Sequence, residues 1–108
     1  MADKQLKIKA SSCSRLQKEV AFYEREVVEQ RDKVARLVAE GKDEHDIKQQ
    51  QEVLLESEQV LPDSYRRLER ALQDLDAAIA AHDGDTADAV VVKEKVEAFL
   101  EEHNAASA

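Results

Sequence analysis

The stretch 47–75, IKQQQEVLLESEQVLPDSYRRLERALQDL, decides the fold, because Ile47, Leu54, Leu61, Leu68 and Leu75 recur at every seventh position. Such spacing keeps these residues on one stripe of a helix, so the ladder predicts a long helix with a single apolar seam. Pro62 falls inside it, where a proline removes a backbone hydrogen bond and crowds the carbonyl of Glu58. The ladder passes Pro62 without losing register, so the expectation is one helix kinked near Pro62, and not two helices.

Upstream stands a second ladder, Leu6, Cys13, Val20, Val27 and Val34, with Leu16, Tyr23 and Leu37 three places on. It predicts a first helix over about 4–40, ended by Gly41, whose missing Cβ permits the left-handed backbone that terminates helices. Ser11, Ser12 and Ser14 are potential caps for a later start, but Leu6 already belongs to the ladder, which favours an early one. Asp43 is a natural N-cap for the second helix, over about 43–81, and Glu44 and Asp46 place negative charge at the positive end of its dipole. After the turn His82-Asp83-Gly84-Asp85, a third helix over about 85–103 carries Ala89, Val92, Val96, Phe99 and Leu100 at helical spacing, capped by Asp85 or Thr86. The run Val90-Val91-Val92 argues weakly for a strand, but a lone strand would have no partner. Residues 104–108 are small and polar, and fraying is expected there.

Joined by short turns, these segments imply an all-α fold: a single domain over 1–108 forming an antiparallel three-helix bundle (up-down-up), with two long helices and a shorter third covering part of their groove. Gln30 and Gln50 occupy seam positions, where a polar side chain fixes register at some cost in stability.

Only two Gly and one Pro interrupt the 108 residues; charged residues make up 37% and aromatics 4%. Narrow seams between solvated helices suit that balance better than a thick core. A formal charge of −8 opposes nucleic-acid binding, which needs clustered cations. Lys4, Lys7, Lys9, Arg15 and Lys18 do make the first eighteen residues basic, read as a solvated face or as a contact for an acidic protein partner. No apolar run approaches the roughly 20 residues needed to span a bilayer, and the N-terminus lacks the apolar stretch of a signal peptide, so a cytoplasmic protein is expected. The lone Cys13 fits a reducing compartment and, being on the seam, reads as packing.

Catalytic and metal chemistry find little support. Asp43, Glu44, His45 and Asp46 are consecutive around a helix start, which suits capping better than metal binding. Asp83-Gly84-Asp85 fails as a calcium loop, since Ala87 and Asp88 stand where a ligand and the glycine are needed. Two isolated glycines build no nucleotide loop, and His82 and His103 read as exposed or dipole-facing side chains. No catalytic residue, cofactor or metal is expected.

Leu6-Lys7-Ile8-Lys9, Arg15-Leu16, Lys18-Glu19, Tyr23-Glu24, Asp46-Ile47-Lys48-Gln49-Gln50, Glu52-Val53-Leu54, Glu56-Ser57, Pro62-Asp63, Arg67-Leu68-Glu69 and Asp74-Leu75 together resemble the tubulin-binding cofactor A family in order and spacing over residues 6–75. The last third resembles it only in being helical, and Val60 and Leu61 stand where methionines often precede the family's proline. The resemblance implies a small non-enzymatic chaperone, associated with the microtubule cytoskeleton, that captures β-tubulin after its release from the cytosolic chaperonin and holds it for transfer to later tubulin-folding cofactors, without nucleotide. On that basis Tyr23, Glu24, Lys48, Gln49, Glu52, Asp63, Arg66 and Arg67 are the expected contact residues, while Leu16, Val20, Leu54 and Leu68 hold the bundle. Tyr65 is expected to pack at the bend with its hydroxyl in water. A monomer is favoured and a homodimer possible. The competing reading is a structural coiled-coil dimerisation or scaffold module, because the same seams can close between two chains.

Overall fold

A computed structural model describes the backbone of residues 2–107 and the side chains of residues 4–104. Three α-helices account for nearly all of it, and no strand occurs among the described residues: α1, Ala2–Ala39; α2, Glu44–Ala81; α3, Ala87–Ser107.

Local chemistry explains each boundary. At the end of α1 the Gly41 N–H donates to the Val38 carbonyl at 3.1 Å and the Lys42 N–H to the Leu37 carbonyl at 3.0 Å. With Gly41 at φ 67° this is a Schellman closure, which satisfies carbonyls the helix would otherwise leave bare. The next helix begins at once, as the Asp43 carboxylate accepts from the His45 N–H at 3.5 Å and the Asp43 carbonyl from the Ile47 N–H at 3.1 Å. Glu44 and Asp46 fill its first turn. α3 opens at Thr86, whose carbonyl accepts from the Val90 N–H at 2.9 Å, while the carboxylate of the preceding Asp85 accepts from the Ala87 N–H at 2.9 Å.

One expectation needs revision. Residues 104–107 do not depart from the helix; α3 runs on to Ser107, because Ala105 and Ala106 have high helix propensity and nothing there breaks the ladder of hydrogen bonds. Ala108 lies outside the described residues. The triple valine is helical, as expected: Val90 and Val92 are half-buried, so packing outweighs their β-branched preference. α2 continues through Pro62 as one helix.

The helices are shared between two compact units. One comprises the chain through Lys18 and from Arg66 onward, and so draws on α1, α2 and the whole of α3. Its interior is Leu6, Cys13, Leu68, Leu75, Ala89, Val96 and Leu100, contributed by all three helices. Leu68 and Leu75 are entirely enclosed, each burial contributing about 2–3 kcal/mol. Lys93 of α3 closes one flank with an ion pair to Asp76 of α2 at 2.6 Å.

The other unit, Glu19–Tyr65, is a hairpin of the later part of α1 and the earlier part of α2. Its pairings run antiparallel, Glu24 with Tyr65 but Arg31 with Glu58 and Gln30 with Gln50. Val20, Val27, Ser64 and Tyr65 are buried. Val34, Leu37, Ile47, Leu54 and Leu61, equally part of the ladders, are only half-buried, because two helices cannot enclose a seam on every side.

Candidate partner-binding surface

The expected contact residues divide by environment. Lys48, Gln49, Glu52 and Asp63 are exposed, and at 3.6 residues per turn they share one side of α2 in the hairpin. Arg66 and Arg67 follow in the same helix, exposed, but belong to the three-helix unit. Asp63 and Arg67 each already hold an interaction within the fold. Tyr23 is half-buried, and its ring meets the exposed Phe22 ring edge-on, with centroids 5.6 Å apart.

Glu24 is different in kind. Its carboxylate accepts a hydrogen bond from the Tyr65 hydroxyl at 2.5 Å, a charge-assisted bond that ties α1 to α2. Tyr65 therefore does not hold its hydroxyl in water as expected; it is 6% exposed, and burial, the bond to Glu24 and the charge of Glu24 push its ionisation well above the ordinary tyrosine value. Periodicity puts residue 65 beside the seam, but only the packed hairpin shows that position 24 lies opposite.

Sequence reasoning missed the apolar component of this surface. Val53, Leu55 and Val60 on α2 and Phe22, Val28 and Val38 on α1 are exposed, Val28 and Val38 at 56% each. The signal was available: these residues fall between ladder positions, where a solvated face ordinarily carries charge. Val53 and Val60, seven residues apart, share one flank of the side that carries Glu52 and Asp63. Apolar side chains interleaved with charges of both signs suit recognition of another protein surface, with the apolar groups supplying desolvation and the charges orientation.

Other chemistry is poorly served. Among the described residues no three His, Cys, Asp or Glu side chains gather as a metal site would require. Cys13 is fully buried, and its thiol is raised in pKa first by that burial and then by the charge of Asp74, which makes it a poor nucleophile. A shallow open depression in the three-helix unit, lined by Ala10, Ser11, Ser14, Arg15, Lys18 and Val92, contains hydroxyls and cations but no general base. No helix is long and apolar enough to cross a membrane among the described residues.

The chain is similar to known proteins in both sequence and structure. Over 75 residues it is 47% identical to tubulin-folding cofactor A of Arabidopsis thaliana, a match covering 69% of this chain and 66% of that protein. The crystal structure of tubulin folding cofactor A from Arabidopsis thaliana superposes with a TM-score of 0.80 at 39% identity, covering 89% of this chain and 95% of that one. A solved β-tubulin binding post-chaperonin cofactor, Rbl2p, gives 0.81 at 31% identity, with coverage of 90% and 98%. The family model for tubulin binding cofactor A matches residues 1–99, taking in the buried ladders, the Gly41 closure and most of α3. A family match over residues 1–99, with a structural likeness covering 89% of the chain, places the chain in the tubulin binding cofactor A family.

Proposed function

We propose that this protein is a tubulin-folding cofactor: a non-enzymatic, cytoplasmic chaperone that captures β-tubulin after its release from the chaperonin, passes it to later tubulin-folding cofactors and so supports heterodimer assembly at the service of the microtubule cytoskeleton. The observation that carries this reading is the exposed side of α2 in the hairpin, where Lys48, Gln49, Glu52 and Asp63 alternate with Val53, Leu55 and Val60 on a helix that is already folded. A preformed surface binds with little ordering cost, which suits a client that must be held and then released. Membership of the family, and the description of Rbl2p as binding β-tubulin, give the client its name.

Contact is assigned to Tyr23, Lys48, Gln49, Glu52, Asp63, Arg66 and Arg67, with Glu24 acting through Tyr65. The test is gel filtration of the purified chain with chaperonin-released β-tubulin. A one-to-one complex is expected, weakened by Arg66→Glu with Arg67→Glu while the helical spectrum is kept. Failure of the unaltered chain to capture β-tubulin overturns the function; undiminished capture by the double variant removes that pair from the site. A dimerising coiled-coil module finds support only in the half-buried seam of the hairpin, and a stable dimer in sedimentation at micromolar concentration that takes up no tubulin would favour it.

A further inference from the structure

The chain carries a net charge of −8, yet its first helix begins with the opposite sign. Through residue 18 the one acid is Asp3, against Lys4, Lys7, Lys9, Arg15 and Lys18. Successive spacings of three and four residues put Lys4, Lys7, Ser11, Ser14, Arg15 and Lys18 on one stripe of α1. All of these are exposed except the half-buried Ser14. The stripe is roughly 20 Å long at the helical rise per residue.

Half of it is concave. Ser11, Ser14, Arg15 and Lys18 form one wall of the depression completed by Ala10 and by Val92 of α3, so cations and hydroxyl donors border a small apolar floor. No carboxylate lines this depression. Lys93, by contrast, is half-buried on α3 and has its charge answered by Asp76. Arg15, Lys18 and Lys7 are left facing solvent.

We propose that this stripe and its depression bind an acidic, extended peptide segment of a protein partner. An extended chain advances about 3.3 Å per residue, so about six residues span the stripe. Carboxylates spaced along such a segment meet Lys7, Arg15 and Lys18 in turn; Arg15 offers a planar fork to one of them, and the serine hydroxyls donate to others or to the peptide carbonyls. Ala10 and Val92 receive a small apolar side chain. A nucleic acid fits less well, since its phosphates continue past the stripe onto a chain that is acidic elsewhere, and no aromatic side chain lines the depression for bases to stack on. This site shares no residue with the surface assigned to β-tubulin and stands without it.

The experiment uses the intact chain and a fluorescently labelled peptide of about eight residues, Glu- and Asp-rich with interspersed Ala, followed by anisotropy at about 30 mM salt, where screening is weak. Saturable binding is expected, weakened about tenfold or more by Lys7→Glu with Arg15→Glu and Lys18→Glu, several-fold by the milder Arg15→Gln with Lys18→Gln, and less than about twofold by Lys42→Glu at the hairpin turn. Amide shifts on titration should cluster in residues 7–18 and around Val92. Equal affinity of the folded triple variant, shifts confined to other residues, or absence of saturation overturns the proposal. So does a labelled RNA oligonucleotide or an anionic vesicle binding as tightly as the peptide, which would assign the stripe to a different class of partner.

Discussion

Gln50 of α2 donates its side-chain amide to the side-chain oxygen of Gln30 on α1, a half-buried bond between residues that both occupy seam positions. Each glutamine alone would be a fault in an apolar stripe. Paired, they fix which turn of one helix faces which turn of the other, since a shift by one heptad leaves both amides facing hydrocarbon. Gln50→Leu alone is expected to lower stability by about 0.5–1 kcal/mol by leaving the Gln30 amide poorly satisfied, and the double Leu variant to recover that loss or exceed it. Urea unfolding of the two singles and the double measures the coupling, and strictly additive losses would show that the pair does not act as a unit.

The Glu24–Tyr65 bond makes a second prediction, with a definite sign in pH. Tyr65 has its folded ionisation raised above the unfolded value, by burial foremost and then by the bond to Glu24 and its charge. A raised value means the neutral phenol is the form the fold prefers. Its contribution is therefore complete below the unfolded tyrosine value of about 10 and is lost as pH rises beyond it. Stability should begin to fall as pH passes about 10 and keep falling above it in the native chain, and fall less in Tyr65→Phe, which is itself expected to cost about 1–2 kcal/mol near neutrality. Phenolate absorbance supplies an independent check: of the two tyrosines, Tyr65 should ionise only as the chain unfolds.

Enclosure predicts the ranking of large-to-small substitutions along one ladder. Leu68 is 0% exposed whereas Leu54 is half-buried, although both are ladder leucines of α2. Leu68→Ala should cost about 2–5 kcal/mol, and Leu54→Ala about half as much or less, as water already reaches its site. Equal losses in denaturant midpoint would contradict the burial pattern.

Gly41 isolates a backbone effect. It has φ 67°, and a Cβ added there would meet nothing within 4 Å. Gly41→Ala should thus cost about 1–2 kcal/mol through left-handed strain alone, while Gly41→Asn, which tolerates that region better, should cost less. A thermal melt of the two variants separates strain from crowding.

How much of the site could be read in advance follows from how local each cause is. Exposure of Lys48, Gln49, Glu52, Asp63, Arg66 and Arg67 follows from their distance in helical angle from the leucine ladder, a property of one helix. Glu24 was legible as a residue of the resembling segment but not as the acceptor for Tyr65, because the partners lie 41 residues apart. The exposed Val53, Leu55 and Val60 were hidden for a different reason: periodicity identifies the seam positions and is silent about apolar residues between them.

By itself the sequence determined three helices and the two turns between them: heptad ladders, the glycine at 41, and the aspartates at 43 and 85 act over one or two turns, and short-range hydrogen bonds and steric preferences do not wait for the rest of the chain. Only the tertiary structure decided which parts of those ladders became dry. Leu68 and Leu75 are sealed where α3 joins α1 and α2 in one unit, whereas Ile47, Leu54 and Leu61 stay half-wet in the two-helix hairpin. It also matched Gln30 to Gln50 and Glu24 to Tyr65, because burial and pairing are set by the approach of segments 20 and 41 residues apart, a distance across which no local preference acts.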